Sequence, residues 1–208
     1  MEKKTQYIKD PCRASSVPYW KAVCIAVPEN MKIVHDQDFS IGLLEQYTDE
    51  PYFRIRHDLQ SVEPIAVPKG HSLCEGTAEE YASHIHECYG NGMTAAEVRD
   101  FAKREVYRPE LWLALRDGET GRIVATGIAE LDSQTKEGIL EWIQVSESYR
   151  GCGLGTFIVK ELLWRLKGKA EFATVSGQCN NPTNPEALYR KCGFAGNDVW
   201  HVMSKKLK

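Results

Sequence analysis

The pattern of apolar and polar residues in the C-terminal half of the chain predicts a strand followed closely by an amphipathic helix. Residues 138–145 are rich in large apolar side chains, as in a mostly buried strand. Residues 154–167 then place apolar side chains at intervals of three and four, which is typical of a helix with one buried face. The apolar positions of this helix are Leu154, Phe157, Ile158, Leu162, Trp164 and Leu166. A glycine-rich segment, residues 149–156, separates the two elements.

Helix-start signals and shorter apolar runs predict the elements around this unit. Thr77 with Glu80 and Thr94 with Glu97 have the spacing of capping boxes, and each precedes a helical pattern. Strands are predicted over residues 111–115, 122–131, 172–176 and 199–203, and a short helix over residues 184–191. The order of these elements predicts an α+β (mixed α/β) fold, with a central mixed sheet flanked by helices.

The N-terminal third has weaker patterns. Residues 1–30 contain three prolines and are predicted to be irregular. Two strands are expected over residues 31–36 and 52–58, with a short helix around 39–47 between them and a linker over 64–70. We therefore expect an N-terminal extension, residues 1–70, packed on or extending a domain formed by residues 71–208.

Composition and charge narrow the class of protein. The chain has 208 residues, of which 42% are hydrophobic and 26% charged, as in an ordinary globular protein. A net charge of −3 favours neither nucleic acid nor an acidic membrane as partner. The N-terminus lacks the apolar core of a signal peptide, and no run is as long as a membrane span, so we expect a cytoplasmic protein. Seven irregularly spaced cysteines indicate reduced thiols.

The glycines of residues 149–156 indicate a phosphate site. Gly151, Gly153 and Gly155 remove the side chains that would keep a ligand from the backbone. The first amides of the following helix have no acceptor within the helix and lie at its positive end, where they favour an anion, and Arg150 adds a cation. The segment is not a P-loop, since no lysine follows Gly155, and Thr156 stands where a dinucleotide fingerprint needs its third glycine.

The spacing of Arg150, Gly153 and Gly155 instead resembles the Arg-x-x-Gly-x-Gly pyrophosphate signature of the GNAT superfamily of acyl-CoA-dependent N-acetyltransferases. Residues 140–145 are similar to the central strand of that family, and residues 184–194 to its short helix that leads through a tyrosine to Gly-Phe. The resemblance covers about residues 74–208. One departure is the interval of five residues between Asn184 and Tyr189, where many relatives have seven.

This resemblance implies a GNAT-like, mostly antiparallel sheet and acetyl-CoA as cosubstrate, with no metal. It implies transfer of an acetyl group to a primary amine, in one complex with both substrates and no covalent intermediate. The acceptor is expected to be a small molecule, and a protein lysine or N-terminus, or a non-catalytic acyl-CoA-binding module, are the alternatives. The cofactor-binding residues that the resemblance implies are Ile143, Val145, Arg150, Gly151, Cys152, Gly153, Leu154, Gly155, Thr156 and Asn184.

Two residues are candidates for proton transfer. Glu141 lies on the central strand, on the face expected for Val145, and is the candidate base, with Glu130, Glu137 and N-terminal histidines as competitors. Tyr189 stands where the family has a tyrosine near the thioester sulfur, and it is the candidate acid because an ordinary phenol is protonated at neutral pH. The alternative for Glu141 is a carboxylate that is only solvated or paired with a neighbouring arginine, and the alternative for Tyr189 is packing alone, against Phe194 and the pantetheine arm.

Two other clusters are weaker candidates. Cys74, His84, His86 and Cys88 suggest zinc, but on one helix His84 and Cys88 share a face that His86 does not. The His35–Asp36 and His57–Asp58 pairs lie beside N-terminal aromatic residues and are candidates for an acceptor pocket or for contacts in a homodimer, with ordinary packing favoured.

Overall fold

The computed structural model describes residues 2–90 and 92–206. Its α-helices are α1 (Glu2–Lys9), α2 (Pro11–Ala14), α3 (Tyr19–Ala22), α4 (Ala78–Tyr89), α5 (Ala95–Phe101), α6 (Leu154–Leu166) and α7 (Pro185–Lys191). Its strands are β1 (Met31–His35), β2 (Tyr47–His57), β3 (His71–Cys74), β4 (Trp112–Asp117), β5 (Ile123–Asp132), β6 (Glu137–Val145), β7 (Phe172–Gln178) and β8 (Ala195–Lys205). The strands form a mixed, mostly antiparallel sheet flanked by helices, which confirms the predicted fold class.

The chain divides into two compact units. One comprises Met1–His57 together with Thr174–Lys208, and the other comprises Asp58–Ala173. We call them the terminal unit and the central unit. The predicted division at residue 70 stays a prediction about domain organisation.

The terminal unit is built on three antiparallel strands in the order β1-β8-β2. Met31 pairs with Ser204 and His35 with Trp200 between β1 and β8, and Tyr47 pairs with Lys205 between β2 and β8. Strand β2 begins at Tyr47, five residues before its predicted start. The short helix expected around residues 39–47 is a 3-10 helix over Ile41–Glu45.

The prediction that residues 1–30 are irregular is wrong, because three short helices form there. Two of the three prolines start helices instead of breaking them. Pro11 is the first residue of α2, where the amide it lacks would have no partner in the helix, and Pro18 is the N-cap of α3. Long-range bonds hold the segment in place, including one from Trp200 Nε1 to the carbonyl oxygen of Cys12 at 2.8 Å.

The central unit contains four antiparallel strands in the order β6-β5-β4-β3. Strand β3 pairs with β4 and directly follows the predicted linker, and sequence reasoning missed it. Helices α4 and α5 begin with complete capping boxes at Thr77 and Thr94, as predicted. Their inner faces pack on β4 and β5 in a core cluster of Tyr81, Ala82, Ile85, Val98, Ala114 and Ile128.

Helix α6 packs on the other face of β5 and β6. At Gly127, in β5, an added Cβ would overlap the Ile158 side chain, and at Gly138, in β6, it would lie 2.6 Å from a methyl carbon of Leu166. Side chains at these two strand positions would force α6 away from the sheet. The close packing holds α6 against the sheet directly after the glycine-rich segment. No helix in the described part of the chain is long and apolar enough to cross a membrane.

Candidate active site

Strand β6 carries a β-bulge at its centre. Ala129 of β5 pairs with Leu140 and Gly127 pairs with Ile143, so β6 has one more residue than β5 between these pairs. Beyond the bulge, Ile143 lies on the α6 side, where its Cδ1 is near Gly127, while Trp142 packs against the α4 cluster. The bulge therefore changes which residues of β6 share a face.

This bulge corrects the placement of Glu141. The expectation that Glu141 shares a face with Val145 assumes unbroken alternation between them, and the extra residue falls within that interval. The predicted common face is wrong for this reason. Glu141 itself is partly buried at the bulge. Of its competitors, Glu130 is 3% exposed and bonded to Arg104 at 2.8 Å, and Glu137 is fully buried.

The backbone groups of Ile143 and Val145 point away from β5. The amide of Ser146 donates to the carbonyl oxygen of Val124, so Ser146 and Val124 form a hydrogen-bonded pair. Hydrogen-bonded and non-hydrogen-bonded pairs alternate in an antiparallel ladder, which places Val145 and Ile143 in non-hydrogen-bonded pairs with β5. Their amides and carbonyls consequently lie on the opposite edge of β6.

Two side chains of the central unit donate to the carbonyls on that edge. The Tyr89 hydroxyl donates to the Ile143 oxygen at 3.3 Å, and Arg150 Nε donates to the Val145 oxygen at 3.2 Å. Tyr89 also packs edge to face on Trp142, with ring centroids 5.5 Å apart. Sequence reasoning missed Tyr89, because its role depends on how the end of α4 meets β6. No local pattern signals that contact.

The predicted phosphate-binding residues form one continuous loop. A single 3-10 turn, Glu147–Tyr149, leads from β6 to Arg150. Gly151 and Gly153 have φ angles of 79° and 84°, in the left-handed region that favours glycine, and nothing lies within 4 Å of a Cβ built on either. Cys152 is exposed between them. The glycines therefore shape an open backbone loop whose surface a ligand can reach.

The loop ends at the start of α6. Gly153 is the N-cap, and no side chain caps the helix there. The first amides of the helix, those of Leu154, Gly155 and Thr156, therefore lack the oxygen acceptor that a serine or aspartate at the N-cap would supply. Arg150 lies three residues before the N-cap and also lines a cavity of about 630 Å³. Glu87, Cys88, Glu147 and Ser148 line the same cavity. The arrangement suits an anion at the loop.

Asn184 and Tyr189 belong to the terminal unit. Asn184 has a left-handed backbone conformation and caps α7, with its Oδ1 accepting from the amide of Ala187 at 3.4 Å. Tyr189 is 5% exposed and packs edge to face on Phe194, with ring centroids 5.8 Å apart. Their cofactor and acid roles stay predictions.

The two weaker clusters have other partners than the sequence suggested. His84 and Cys88 do share a face, and Cys88 Sγ lies 3.7 Å from His84 Nε2. The ring of His84, however, bonds to two hydroxyl groups. The Cys74 thiol donates to the carbonyl oxygen of Ala114. Within residues 2–90 and 92–206, no group of three or more metal-ligating side chains is present.

The histidines of the two His-Asp pairs noted in the sequence contact residues far away in the chain. His35 pairs with Asp198 at 3.0 Å. His201, which sequence reasoning did not single out, pairs with Asp49 at 2.8 Å and with Asp36 at 3.4 Å. His57 packs on Phe194.

Comparison with known proteins identifies the class. Residues 108–195 match the family model described as "Acetyltransferase (GNAT) domain". No curated protein matches the sequence. Residues 108–195 are thus similar to a GNAT acetyltransferase domain and the chain has the GNAT fold, which confirms the resemblance predicted from the sequence. The class of activity that this domain supports is acyl transfer.

Solved structures agree on the fold. A GCN5-related N-acetyltransferase from Sphaerobacter thermophilus is 18% identical with a TM-score of 0.67, over 97% of this chain and 64% of that one. A GNAT-family acetyltransferase from Colwellia psychrerythraea is 14% identical with a TM-score of 0.60, over 99% and 72%. A tandem GNAT protein from the clavulanic acid biosynthesis pathway is 19% identical with a TM-score of 0.58, over 77% and 55%. The chain thus spans less than two thirds of the first of these proteins.

Proposed function

We propose that the protein transfers an acetyl group from acetyl-CoA to a primary amine, and that the acceptor is a small molecule. The observation that carries this proposal is the loop after β6. Its two left-handed glycines and the uncapped start of α6 follow a strand whose Ile143 and Val145 backbone groups face away from β5. A pyrophosphate fits the loop, and a pantetheine arm fits backbone groups of a strand that do not pair with β5.

The chemistry of the reaction assigns the remaining roles. An ammonium must lose a proton before it attacks the thioester, and the leaving thiolate must gain one. We assign the first task to Glu141, directly or through water, and the second to Tyr189. A backbone amide of β6, at Ile143 or Val145, is the donor to the oxyanion of the tetrahedral intermediate.

Matched glycine variants test cofactor binding. Gly153 and Gly168 stand at opposite ends of α6, have φ angles of 84° and 78°, and have nothing within 4 Å of a built Cβ. Alanine therefore strains the backbone about equally at both positions. We expect Gly153→Ala to weaken CoA binding at least about tenfold in isothermal titration calorimetry, because the added methyl group and the displaced amides both act against the phosphate. Gly168→Ala should leave the dissociation constant unchanged.

A chromatographic assay of CoA release with a panel of amines then tests turnover. Turnover on small amines supports the proposal, while turnover only on peptides identifies a protein acetyltransferase. Tight CoA binding without turnover on any amine identifies a binding module. Equal losses in both glycine variants, or no CoA binding by the wild type, contradicts the loop assignment.

Conservative variants test the two catalytic assignments. Glu141→Gln should lower kcat at least about tenfold, because a positioned base contributes about 10²–10⁴ to the rate. Tyr189→Phe should lower kcat by removing only the hydroxyl, since its ring keeps the packing on Phe194. The CoA dissociation constant should change little in either variant. An unchanged kcat removes the residue concerned from the mechanism.

A further inference from the structure

His84 is a buried histidine within the central unit that the proposed reaction does not use. It lies on α4, is 3% exposed, and faces the strands. Its Nδ1 lies 2.9 Å from the Thr126 hydroxyl of β5, and its Nε2 lies 3.1 Å from the hydroxyl of Ser146, directly after β6. Both nitrogens of the ring are therefore engaged, one by each of two adjacent chain segments.

The network continues along β6. Gln144 Nε2 donates to the same Thr126 hydroxyl at 2.5 Å, and Gln144 pairs with Thr126 across the ladder. Gln144 and Ser146 are the two neighbours of Val145, and both are buried. The imidazole thus reaches both sides of Val145, through Thr126 on one side and directly on the other.

The protonation state of His84 suits this arrangement. Burial lowers the pKa of His84, so the ring is neutral at physiological pH. A neutral imidazole has one donor and one acceptor, and each hydroxyl can serve as the other partner. A buried polar ring with both nitrogens bonded holds its neighbours in one geometry, since breaking either bond leaves a buried polar atom unpaired.

We propose that His84 is a positioning residue for the cofactor, and that it sets the backbone of Val145 through Gln144 and Ser146. The side chains of Gln144 and Ser146 are fixed on the α4 side, so the two peptide groups of Val145 cannot rotate about the strand axis. Those groups lie on the edge of β6 away from β5, where Arg150 Nε donates to the Val145 oxygen. The claim that His84 affects cofactor binding rests on the proposed function. The claim that His84 holds the backbone of β6 in place does not.

The two ring nitrogens can be tested separately by amide side chains. The amide nitrogen of glutamine occupies about the place of Nε2, and that of asparagine about the place of Nδ1. His84→Gln therefore keeps the contact with Ser146, whereas His84→Asn keeps the contact with Thr126 only. His84→Ala removes both contacts. Ser146→Ala removes only the hydroxyl that His84 Nε2 contacts, and it leaves α4 unchanged. His86→Ala, on the exposed side of the same helix, is the matched control.

Amide hydrogen exchange gives a readout that does not require activity. We expect His84→Ala and Ser146→Ala each to speed exchange in peptides covering residues 140–146 at least tenfold, and His84→Gln to restore most of the protection. His86→Ala should match the wild type. Calorimetry should show the same order for CoA, with a dissociation constant raised at least fivefold in the two alanine variants and by less than twofold in His84→Gln.

The double variant His84→Ala/Ser146→Ala should be no worse than His84→Ala alone, because His84→Ala already removes the contact with Ser146. Unchanged exchange at residues 140–146 in both alanine variants overturns the proposal, as does equal loss in His84→Gln and His84→Ala. Altered exchange with unchanged CoA affinity limits His84 to a structural role and overturns its positioning role. If the wild type does not bind CoA, the proposed function fails, and the exchange results still decide whether His84 holds the strand.

Discussion

Cys88 and Cys152 both lie close to Arg150, yet their surroundings differ. Cys88 is half-buried in the wall of the 630 Å³ cavity, while Cys152 is exposed in the glycine loop, with Sγ 3.8 Å from the Arg150 carbonyl oxygen. Burial raises the pKa of the Cys88 thiol to about 11. Only a very small fraction of Cys88 is therefore thiolate at pH 8, and thiolate is the reactive form.

We predict that Cys88 reacts with iodoacetamide at least about tenfold more slowly than Cys152 at pH 8, given its raised pKa. Peptide mass spectrometry of samples quenched at successive times measures both rates in one experiment. Exposed Cys24, far along the chain, serves as the internal reference for accessibility. Labelling of Cys88 as fast as that of Cys24 would contradict the prediction.

At this scale, some residues of the site could be predicted and others could not. Gly151 and Gly153 have a local signature, because only glycine readily adopts their left-handed conformation before a helix. His84 was noticed only as a candidate zinc ligand, since its actual partners, Thr126 and Ser146, are 42 and 62 residues away. Side chains whose role depends on such distant contacts carry no signal in their own segment.

Among the elements, helix α4 is stabilised at its start by a capping box that extends to β4. The Glu80 carboxylate accepts from Arg116 Nη2 and from the amide of Thr77, each at 2.8 Å. The bond from Arg116 and then that from Thr77 hold the pKa of Glu80 below its ordinary value. A lowered pKa in the folded state means that the stabilisation is complete above about pH 4.5 and is lost as the pH falls through the folded value.

We therefore predict that Glu80→Gln lowers the free energy of unfolding at pH 7 by up to about 1 kcal/mol, since the pair is partly exposed. The difference from the wild type should shrink steadily as the pH is lowered below about 4.5. Urea unfolding followed by circular dichroism across this range measures it. Glu75→Gln, at an exposed glutamate just before the box, is the control. A difference that grows on acidification would show that the sign is wrong.

The elements themselves were predictable where a single pattern extends over many residues. The capping boxes at Thr77 and Thr94 fixed where α4 and α5 start, and the period of α6 predicted both of its ends within about two residues. Helices α2 and α3 have four residues each, too few for any period to appear. The bulge in β6 was also not predictable, because it arises from pairing with β5, and its consequence for Glu141 was missed with it.

For the molecule as a whole, the order of elements along the sequence was enough to predict a mixed sheet flanked by helices. It did not predict with which part of the chain the N-terminal residues pack. Residues 1–57 form a compact unit with residues 174–208, which joins the two ends of the chain around β1, β8 and β2. This union depends on contacts between segments more than 100 residues apart, such as that of Trp200 with Cys12. No pattern within either segment indicates such a pairing.

Arg54 lies at the centre of the terminal unit and allows a test of how firmly α1 belongs to it. The side chain of Arg54 is 1% exposed, and its Nη2 donates to the Tyr7 hydroxyl at 2.8 Å and to Thr174 Oγ1 at 3.3 Å. Tyr7 is 3% exposed on α1. Replacing the hydroxyl leaves a buried, charged donor short of an acceptor, which costs about 1–3 kcal/mol.

We predict that Tyr7→Phe lowers the free energy of unfolding by about 1–3 kcal/mol, although it deletes only one oxygen atom. Tyr19→Phe is the matched control, because its half-buried ring lies 5.3 Å from that of Tyr7 and should tolerate the same deletion within about 0.5 kcal/mol. Urea unfolding measures both values, and limited proteolysis should show earlier cleavage within residues 1–30 for Tyr7→Phe alone. Equal stability of the two variants would mean that α1 is only loosely attached to Arg54, and the first residues would then be a dispensable extension.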